Sequence, residues 1–131
     1  MNIIVCVEDR SGIAFNHRRV SRDRKVVADI EHLLKGRPLY VRKGLEDYFE
    51  GTDIDLRDAA HMDADGFFFA DIEDPSQIYN SGDELVVYRW NRRYPADVFF
   101  AMDKEKRLPE LRDIWEFQGS SHDRITREIR Y

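Results

Sequence analysis

The sequence of 131 residues is poor in cysteine, with a single thiol, and has only four prolines and seven glycines. One thiol cannot form an internal disulfide, so we expect a protein of a reducing compartment. No apolar run approaches the roughly 18 residues of a membrane span. The N-terminus has no basic segment before its short apolar run. These absences predict a soluble, cytoplasmic protein without a membrane partner.

Positively charged residues are fewer than negatively charged ones. The chain carries 21 lysines and arginines against 26 aspartates and glutamates, a net charge of −5. Binding to the nucleic-acid backbone needs a basic surface, so this balance argues against a nucleic-acid partner. With 42% hydrophobic and 36% charged residues, the sequence is typical of one globular domain over residues 1–131. The composition is compatible with a small-molecule ligand as the partner.

One local exception to the acidic balance lies early in the chain. The basic residues of this stretch are Arg18, Arg19, Arg22, Arg24 and Lys25. The simpler interpretation is a solvated loop followed by the start of a helix, and the alternative is an anion site.

Apolar runs bounded by turn residues predict the strands of an α/β domain. Ile3–Val7 and Phe67–Ile72 are nearly continuous apolar runs, which is typical of strands buried on both faces. Leu39–Val41 and Leu85–Trp90 predict two more strands. The tail predicts an antiparallel hairpin that turns near residues 119–121. Strands alternate with helices early and pair locally late, which indicates a mixed sheet.

The clearest helix signal covers Arg22–Leu34. Ser21 is a good N-cap residue, and Gly36 followed by Pro38 ends the helix. The predicted buried stripe is Val26, Val27, Ile30, Leu33 and Leu34. A shorter apolar pattern at helical spacing spans residues 45–49, whereas the polar segment from Thr52 to Asp65 carries no predicted element.

Three segments together resemble the dihydrofolate reductase family. They are MNIIVCVEDRSGIAFN at the start, LVVYRWNRRYPADVFF from Leu85, and EFQGSSHDRITREIRY at the end. The resemblance implies a dihydrofolate-reductase-like, three-layer α/β domain. Its sheet would be mixed and mostly parallel, with an antiparallel C-terminal hairpin.

The resemblance also implies a carboxylate at the start of the first helix that holds a pterin, and Asp23 is the acidic residue there. Tyr88 stands where the family has a threonine bonded to that carboxylate, which makes Asp23 and Tyr88 the candidate catalytic pair. Cys6 and Val27 are the candidate substrate-binding residues. The alternative for Asp23 is a helix-start charge without a ligand, since an ungapped alignment places Val26 at the acidic position.

The nucleotide half of the resemblance is weak. The family has a Gly-Gly pair after a central strand, where backbone amides bind the cofactor's pyrophosphate. This chain has Phe69 to Asp74 there, with no glycine and three carboxylates that would repel a diphosphate. Arg42 and Lys43 match two basic residues of the family's adenosine-phosphate loop and are the candidate cofactor-binding residues. The alternative is two surface cations. We therefore expect no cofactor, or NADPH if the protein is a reductase.

Other constellations carry weaker signals. His61 to Gly66 superficially resembles a metal loop but lacks the ligand spacing of a zinc hydrolase or an EF-hand, so no metal is expected. Ser121, His122 and Asp123 are too local to form a triad, because neighbouring residues on an extended segment point opposite ways. Cys6 is predicted to be a buried, unreactive residue.

Three functions remain open at this point. The first is a small-molecule-binding or regulatory protein that keeps the scaffold without normal NADPH-dependent reductase activity. The second is an NADPH-dependent reductase of a pterin-like substrate, so the chain, if an enzyme of this family, would be an oxidoreductase. The third is a metal-dependent hydrolase or nuclease that uses the acidic, histidine-bearing middle segment. A fold resemblance alone does not choose among them.

Overall fold

A computed structural model describes residues 1–63 and 66–131, and a seven-stranded mixed sheet dominates it. The strands are, in chain order, β1 (Asn2–Val7), β2 (Gly12–Phe15), β3 (Arg18–Arg19), β4 (Leu39–Val41), β5 (Leu56–Asp58), β6 (Phe67–Ala70), β7 (Leu85–Arg89), β8 (Val98–Phe99), β9 (Leu111–Phe117) and β10 (Ile125–Arg130). The main sheet has the order β5-β4-β6-β1-β7-β10-β9. This arrangement confirms the predicted α/β class.

The parallel and antiparallel parts of the main sheet follow the sequence signals. β5, β4, β6, β1 and β7 run parallel to one another, with Ile4 of β1 opposite Phe69 of β6 and Val86 of β7. β10 is antiparallel to both β7 and β9, which confirms the predicted C-terminal hairpin. The central strands are buried on both faces, as their continuous apolar runs predicted.

A smaller antiparallel sheet has the order β3-β2-β8. The connection from β2 to β3 turns through Asn16 and His17, which have φ angles of 51° and 64°. This short hairpin leaves Arg18 and Arg19 exposed. No pattern in the sequence predicted the pairing of β2 with β3.

The main helix, α1 (Arg24–Leu34), begins two residues later than predicted. Its N-cap is Asp23 and not Ser21, because the Asp23 carboxylate accepts from the amide of Lys25. Lys35 and then Gly36 adopt left-handed conformations after its last residue. The predicted buried stripe is confirmed, since Val26, Val27, Ile30, Leu33 and Leu34 are all buried.

Each face of the main sheet has its own apolar core. On one face, α1 packs over Ile4, Phe69 and Val86, together with the 3₁₀ turn Glu46–Phe49. On the other face, the small sheet and a four-residue helix, α2 (Ala101–Lys104), cover Val5, Val87 and neighbouring residues. No helix among the described residues is both long and apolar enough to cross a lipid bilayer.

Among the elements that the sequence did not predict are β5 and α2. β5 lies within the segment that was predicted to carry no element, and it has a single apolar residue, Leu56. α2 has four residues, too few for a helical period to show. Two predicted strands also end earlier than expected, since β6 ends at Ala70 and β7 at Arg89.

Candidate functional site

The candidate site lies at the carboxyl ends of β1, β6 and β7. In parallel α/β sheets this edge is where ligands usually bind. Aromatic side chains fill most of it, because the rings of Tyr48, Phe49 and Phe69 pack with centroids 4.8 to 5.2 Å apart. The remaining cavity, about 10 Å³, is lined by Cys6, Ile13, Arg19, Val20, Ser21, Tyr48, Phe69, Ala70, Asp71 and Trp90. Such a volume holds no heterocyclic ring.

Outside this cavity lies a wider cleft of about 440 Å³, here called the arginine cleft. Its lining consists of His17, Arg18, Arg19, Ser21, Arg22 and Arg42. The β2–β3 hairpin contributes the first three residues, the segment leading to α1 contributes the next two, and the end of β4 contributes Arg42. Arg19 and Ser21 line both the cleft and the inner cavity, so the two spaces share walls.

Tyr48 orients two of the arginines. Arg22 donates from Nε and Nη2 to the Tyr48 carbonyl oxygen at 3.1 and 2.8 Å. The guanidinium carbons of Arg19 and Arg22 lie 4.6 and 5.2 Å from the centroid of the Tyr48 ring, which is cation–π geometry. Neither guanidinium group forms an ion pair within the described ranges, so their charge remains available to an anion.

Arg42 has a different environment, because its Nε donates to Asp71 Oδ2 at 2.7 Å. Burial raises the pKa of Asp71, and the Arg42 charge opposes that rise. Asp71 follows β6 directly, and Asp74 caps the next 3₁₀ turn by accepting from Ser76. The end of β6 is therefore acidic, as the sequence predicted, and Arg42 is partly neutralised.

Asp23 is almost fully buried, at 1% exposure, between the start of α1 and the loop that joins β9 to β10. Its Oδ1 accepts from the amides of Lys25 and Ser120, and its Oδ2 accepts from the amide of Ser121. Burial acts to raise the pKa of Asp23, but the bonds from Ser120, Ser121, His122 and Lys25 outweigh it and hold the pKa well below its usual range. Asp23 is therefore held in its ionised form by these hydrogen bonds.

The loop fits closely against this carboxylate at Gly119. A Cβ atom at that position would lie 2.5 Å from Asp23 Oδ2 and 2.8 Å from Ile125 Cδ1. Only a glycine permits so close an approach, which explains the residue type there.

His122 completes the contacts of Asp23. Its Nδ1 lies 2.9 Å from Asp23 Oδ2, and its Nε2 lies 2.7 Å from the Tyr94 hydroxyl and 3.2 Å from Ser21 Oγ. The ring stacks on Trp90 with centroids 4.7 Å apart and an interplanar angle of 25°. Because an ionised carboxylate only accepts, Nδ1 carries the proton and donates to Asp23. In the neutral imidazole, Nε2 is then the acceptor for the nearer hydroxyl, that of Tyr94, while Ser21 Oγ donates to the Tyr94 hydroxyl oxygen at 3.3 Å.

Trp90 lies between the inner cavity and the surroundings of His122. It is 1% exposed and lines both the inner cavity and a surface recess that His122 also lines. Its indole Nε1 is buried without a hydrogen-bond acceptor among the described residues. Trp90 therefore has an unused donor at the site.

The structure places Tyr88 away from Asp23. The Tyr88 hydroxyl donates to Asp29 Oδ2 at 2.7 Å, and Arg127 donates to both oxygens of Asp29. Burial first, and then the Asp29 charge, raise the pKa of Tyr88, so its hydroxyl stays protonated. Tyr88 thus belongs to an ionic cluster between α1 and β10, and the predicted contact with Asp23 is not made.

The other predicted residues have mixed placements. Cys6 is buried, as predicted, and burial raises the pKa of its thiol, while its lack of reactivity stays a prediction. Val27 belongs to α1, and its side chain is buried in the core that the helix covers. Arg42 belongs to the arginine cleft, whereas Lys43 lies exposed in the turn after β4 and does not line the cleft.

No group of three or more His, Cys, Asp or Glu side chains in residues 1–63 and 66–131 is arranged to hold a metal ion. The loop from His61 to Gly66 includes Ala64 and Asp65, which lie outside the described residues.

The sequence did not predict the partners of Asp23. In the sequence His122 stands beside Ser121 and Asp123, whereas the structure joins it to Asp23, Ser21 and Tyr94. The separation between Asp23 and His122 is 99 positions, which no local pattern encodes. The only signal was the position of His122 after the predicted turn of the hairpin.

Comparison with models of known families finds no match to this chain. Comparison with curated proteins finds no match either.

Proposed function

We propose that this protein is a divergent dihydrofolate-reductase-like domain that binds a small anionic molecule and has no normal NADPH-dependent reductase activity. The anion, a phosphate or carboxylate group, would occupy the arginine cleft. The fold part of the proposal is supported by the five parallel strands and the antiparallel C-terminal hairpin, which match what the family resemblance implies.

The observation that carries the binding proposal is the gathering of arginines at a ligand-binding edge. Arg18, Arg19 and Arg22 have no carboxylate partner within the described parts of a chain whose net charge is −5. Guanidinium groups bind phosphate and carboxylate through paired hydrogen bonds. Tyr48 already orients two of them, so less rotamer freedom is lost on binding.

Three features weigh against NADPH reduction of a pterin. The end of β6 carries Asp71 where a pyrophosphate would need glycines, the hydroxyl of Tyr88 is bonded to Asp29, and the inner cavity holds no ring. The reductase therefore remains the alternative. The metal-dependent hydrolase has no supporting observation in the described residues.

Isothermal titration with inorganic pyrophosphate at constant ionic strength tests the proposal. We expect micromolar binding by the native protein and at least a tenfold loss in Arg19→Gln, since one bidentate partner is removed. Arg107→Gln is the matched control, because Arg107 pairs with Glu105 on the surface, away from the cleft. Equal affinity in both variants would contradict the cleft assignment. Micromolar binding of NADPH that survives Arg19→Gln would favour the reductase.

A further inference from the structure

Ser21, His122 and Asp23 are arranged in the order nucleophile, base and carboxylate. Ser21 Oγ lies 3.2 Å from His122 Nε2, and His122 Nδ1 lies 2.9 Å from Asp23 Oδ2. These distances match the mutual geometry of a serine nucleophile, its general base and the group that orients the base. The three residues are not neighbours in the sequence, because 99 positions separate Asp23 from His122.

Asp23 and Trp90 fix the orientation of the base. Asp23 accepts from Nδ1 and thereby determines the tautomer in which Nε2 is the proton acceptor of the ring. Trp90 stacks on one face of the ring and limits its rotation. Asp23 is itself held by the amides of Ser120, Ser121 and Lys25 and stays ionised, so it stabilises an imidazolium ion when one forms.

The nucleophile faces a space where a substrate can bind. Ser21 is half-buried and lines the arginine cleft, while His122 and Asp23 lie behind it, at 7% and 1% exposure. Arg19 lines the cleft beside Ser21 and also lines the inner cavity. A guanidinium group that lines the same cleft as the nucleophile can bind the anionic group of a substrate.

We propose that Ser21 is the nucleophile of an esterase site, with His122 as general base and Asp23 as the positioning residue, acting on small esters that carry an anionic group. The substrate class rests on the proposed function, because the arginine cleft would hold the anionic group. The relay itself rests only on the three side chains and their distances.

The reaction that this geometry supports has two steps. Ser21 Oγ forms a bond to the ester carbonyl carbon, the ester C–O bond breaks, and His122 passes the serine proton to the departing alcohol. Water then attacks the acyl-serine, its proton returns through His122, and the carboxylic acid leaves with Ser21 restored. Tyr94 also contacts Nε2, at 2.7 Å, and competes with Ser21 for it in the resting protein.

Covalent labelling with an alkyl fluorophosphonate tests the relay. The probe forms an O–P bond at an activated serine and releases fluoride, so intact-mass analysis and peptide mapping identify the residue. We expect one adduct, on Ser21, and none in Ser21→Ala. Ser81→Ala, an exposed loop serine, should label like the native protein. His122→Gln should label at least about 100-fold more slowly. If that variant fails to fold, Tyr94→Phe, which removes the competing hydroxyl, should keep the Ser21 adduct.

No adduct on the folded native protein, or an adduct on Tyr94, would overturn the proposal. An adduct on Ser21 that forms equally fast in a folded His122→Gln would overturn it as well. Hydrolysis of p-nitrophenyl acetate and of the p-nitrophenyl monoester of succinate tests the substrate class. We expect at least a tenfold preference for the anionic ester, lost in Arg19→Gln. Labelling without that preference overturns the anionic class and counts against the cleft, whereas pyrophosphate binding without labelling overturns only the esterase.

Discussion

Two of the polar clusters on this sheet satisfy their charges in different ways. In the Arg89 network, on the face that carries α2, Arg89 bonds Asp103 and Glu128 at 2.8 Å each, and Arg130 bonds Glu128 at 2.9 Å. In the Asp23 cluster, which comprises Asp23, Ser120, Ser121 and His122, one carboxylate is satisfied by backbone amides, hydroxyl groups and a histidine.

The difference shows which cluster has a side chain that is available to react with a ligand. In the Arg89 network both carboxylates are directly paired with guanidinium groups, so the cluster joins α2, β7 and β10. In the Asp23 cluster one histidine nitrogen is directed at the hydroxyls of Ser21 and Tyr94. A cluster that is closed by ion pairs is structural, whereas one that ends in a base beside a cleft can act on a ligand.

The largest effect is expected from Arg89→Met. The change leaves Asp103 without its main cation and Glu128 with only Arg130, and removing one partner of a buried pair typically costs about 3–5 kcal/mol. Urea unfolding of the native protein and the variant measures the loss. Arg107→Met, at an exposed pair, is the control and should lose no more than about 1 kcal/mol. Similar losses at both positions would mean that the Arg89 network contributes no more than a surface pair.

Asp23→Asn should rank second, at about 2–3 kcal/mol near neutral pH, which is typical for hydrogen bonds to a charged group. The asparagine oxygen can still accept from Lys25 and Ser120, but its NH₂ group meets the donors of Ser121 and His122. This exceeds the loss of about 1 kcal/mol or less expected from a simple helix-start charge. Urea unfolding at pH 7 checks the value.

The pH dependence of that loss provides an internal control. The folded pKa of Asp23 lies below its unfolded value of about 3.9, so its stabilisation is present above about pH 4 and is lost as the pH falls further. The difference in unfolding free energy between the native protein and Asp23→Asn should therefore shrink below pH 4. A difference that stays constant down to pH 2.5 would contradict the bonding described for the ionised carboxylate.

The sequence predicted the fold better than it predicted this cluster, and the reason is physical. Ile3–Val7 is a short continuous apolar run, and the buried stripe of α1 has the spacing of a helix, so both could be recognised locally. Ser21 and Asp23 are both good N-caps, and only the loop around Ser120 decides between them. β5 was missed because its pairing with β4, and not its composition, makes it a strand.

The arginine cleft and the Asp23 cluster also differ in how far the sequence alone could predict them. The arginines near residue 20 are close in sequence. Their pattern is compatible with an anion site, although a solvated loop is the simpler interpretation. Arg42 joins them only through the parallel pairing of β4 with β6. The contact between Asp23 and His122 needs the whole sheet to close, since the two residues are 99 positions apart.

The smallest effect on stability is expected from Ser21→Ala, and it sharpens the comparison most. Ser21 Oγ is 3.2 Å from Nε2, while the Tyr94 hydroxyl is closer, at 2.7 Å, and still donates to Nε2 in the variant. No buried group loses its only partner, so the loss should stay below about 0.5 kcal/mol by urea unfolding. Tyr94→Phe, which removes the shorter bond, should cost about 1 kcal/mol. A loss above about 1 kcal/mol in Ser21→Ala would make Ser21 a structural member of the cluster. The Asp23 cluster would then resemble the Arg89 network, with its hydroxyl contacts serving the fold. A near-neutral result leaves Ser21 as a group that the fold does not need, placed between the base and the arginine cleft.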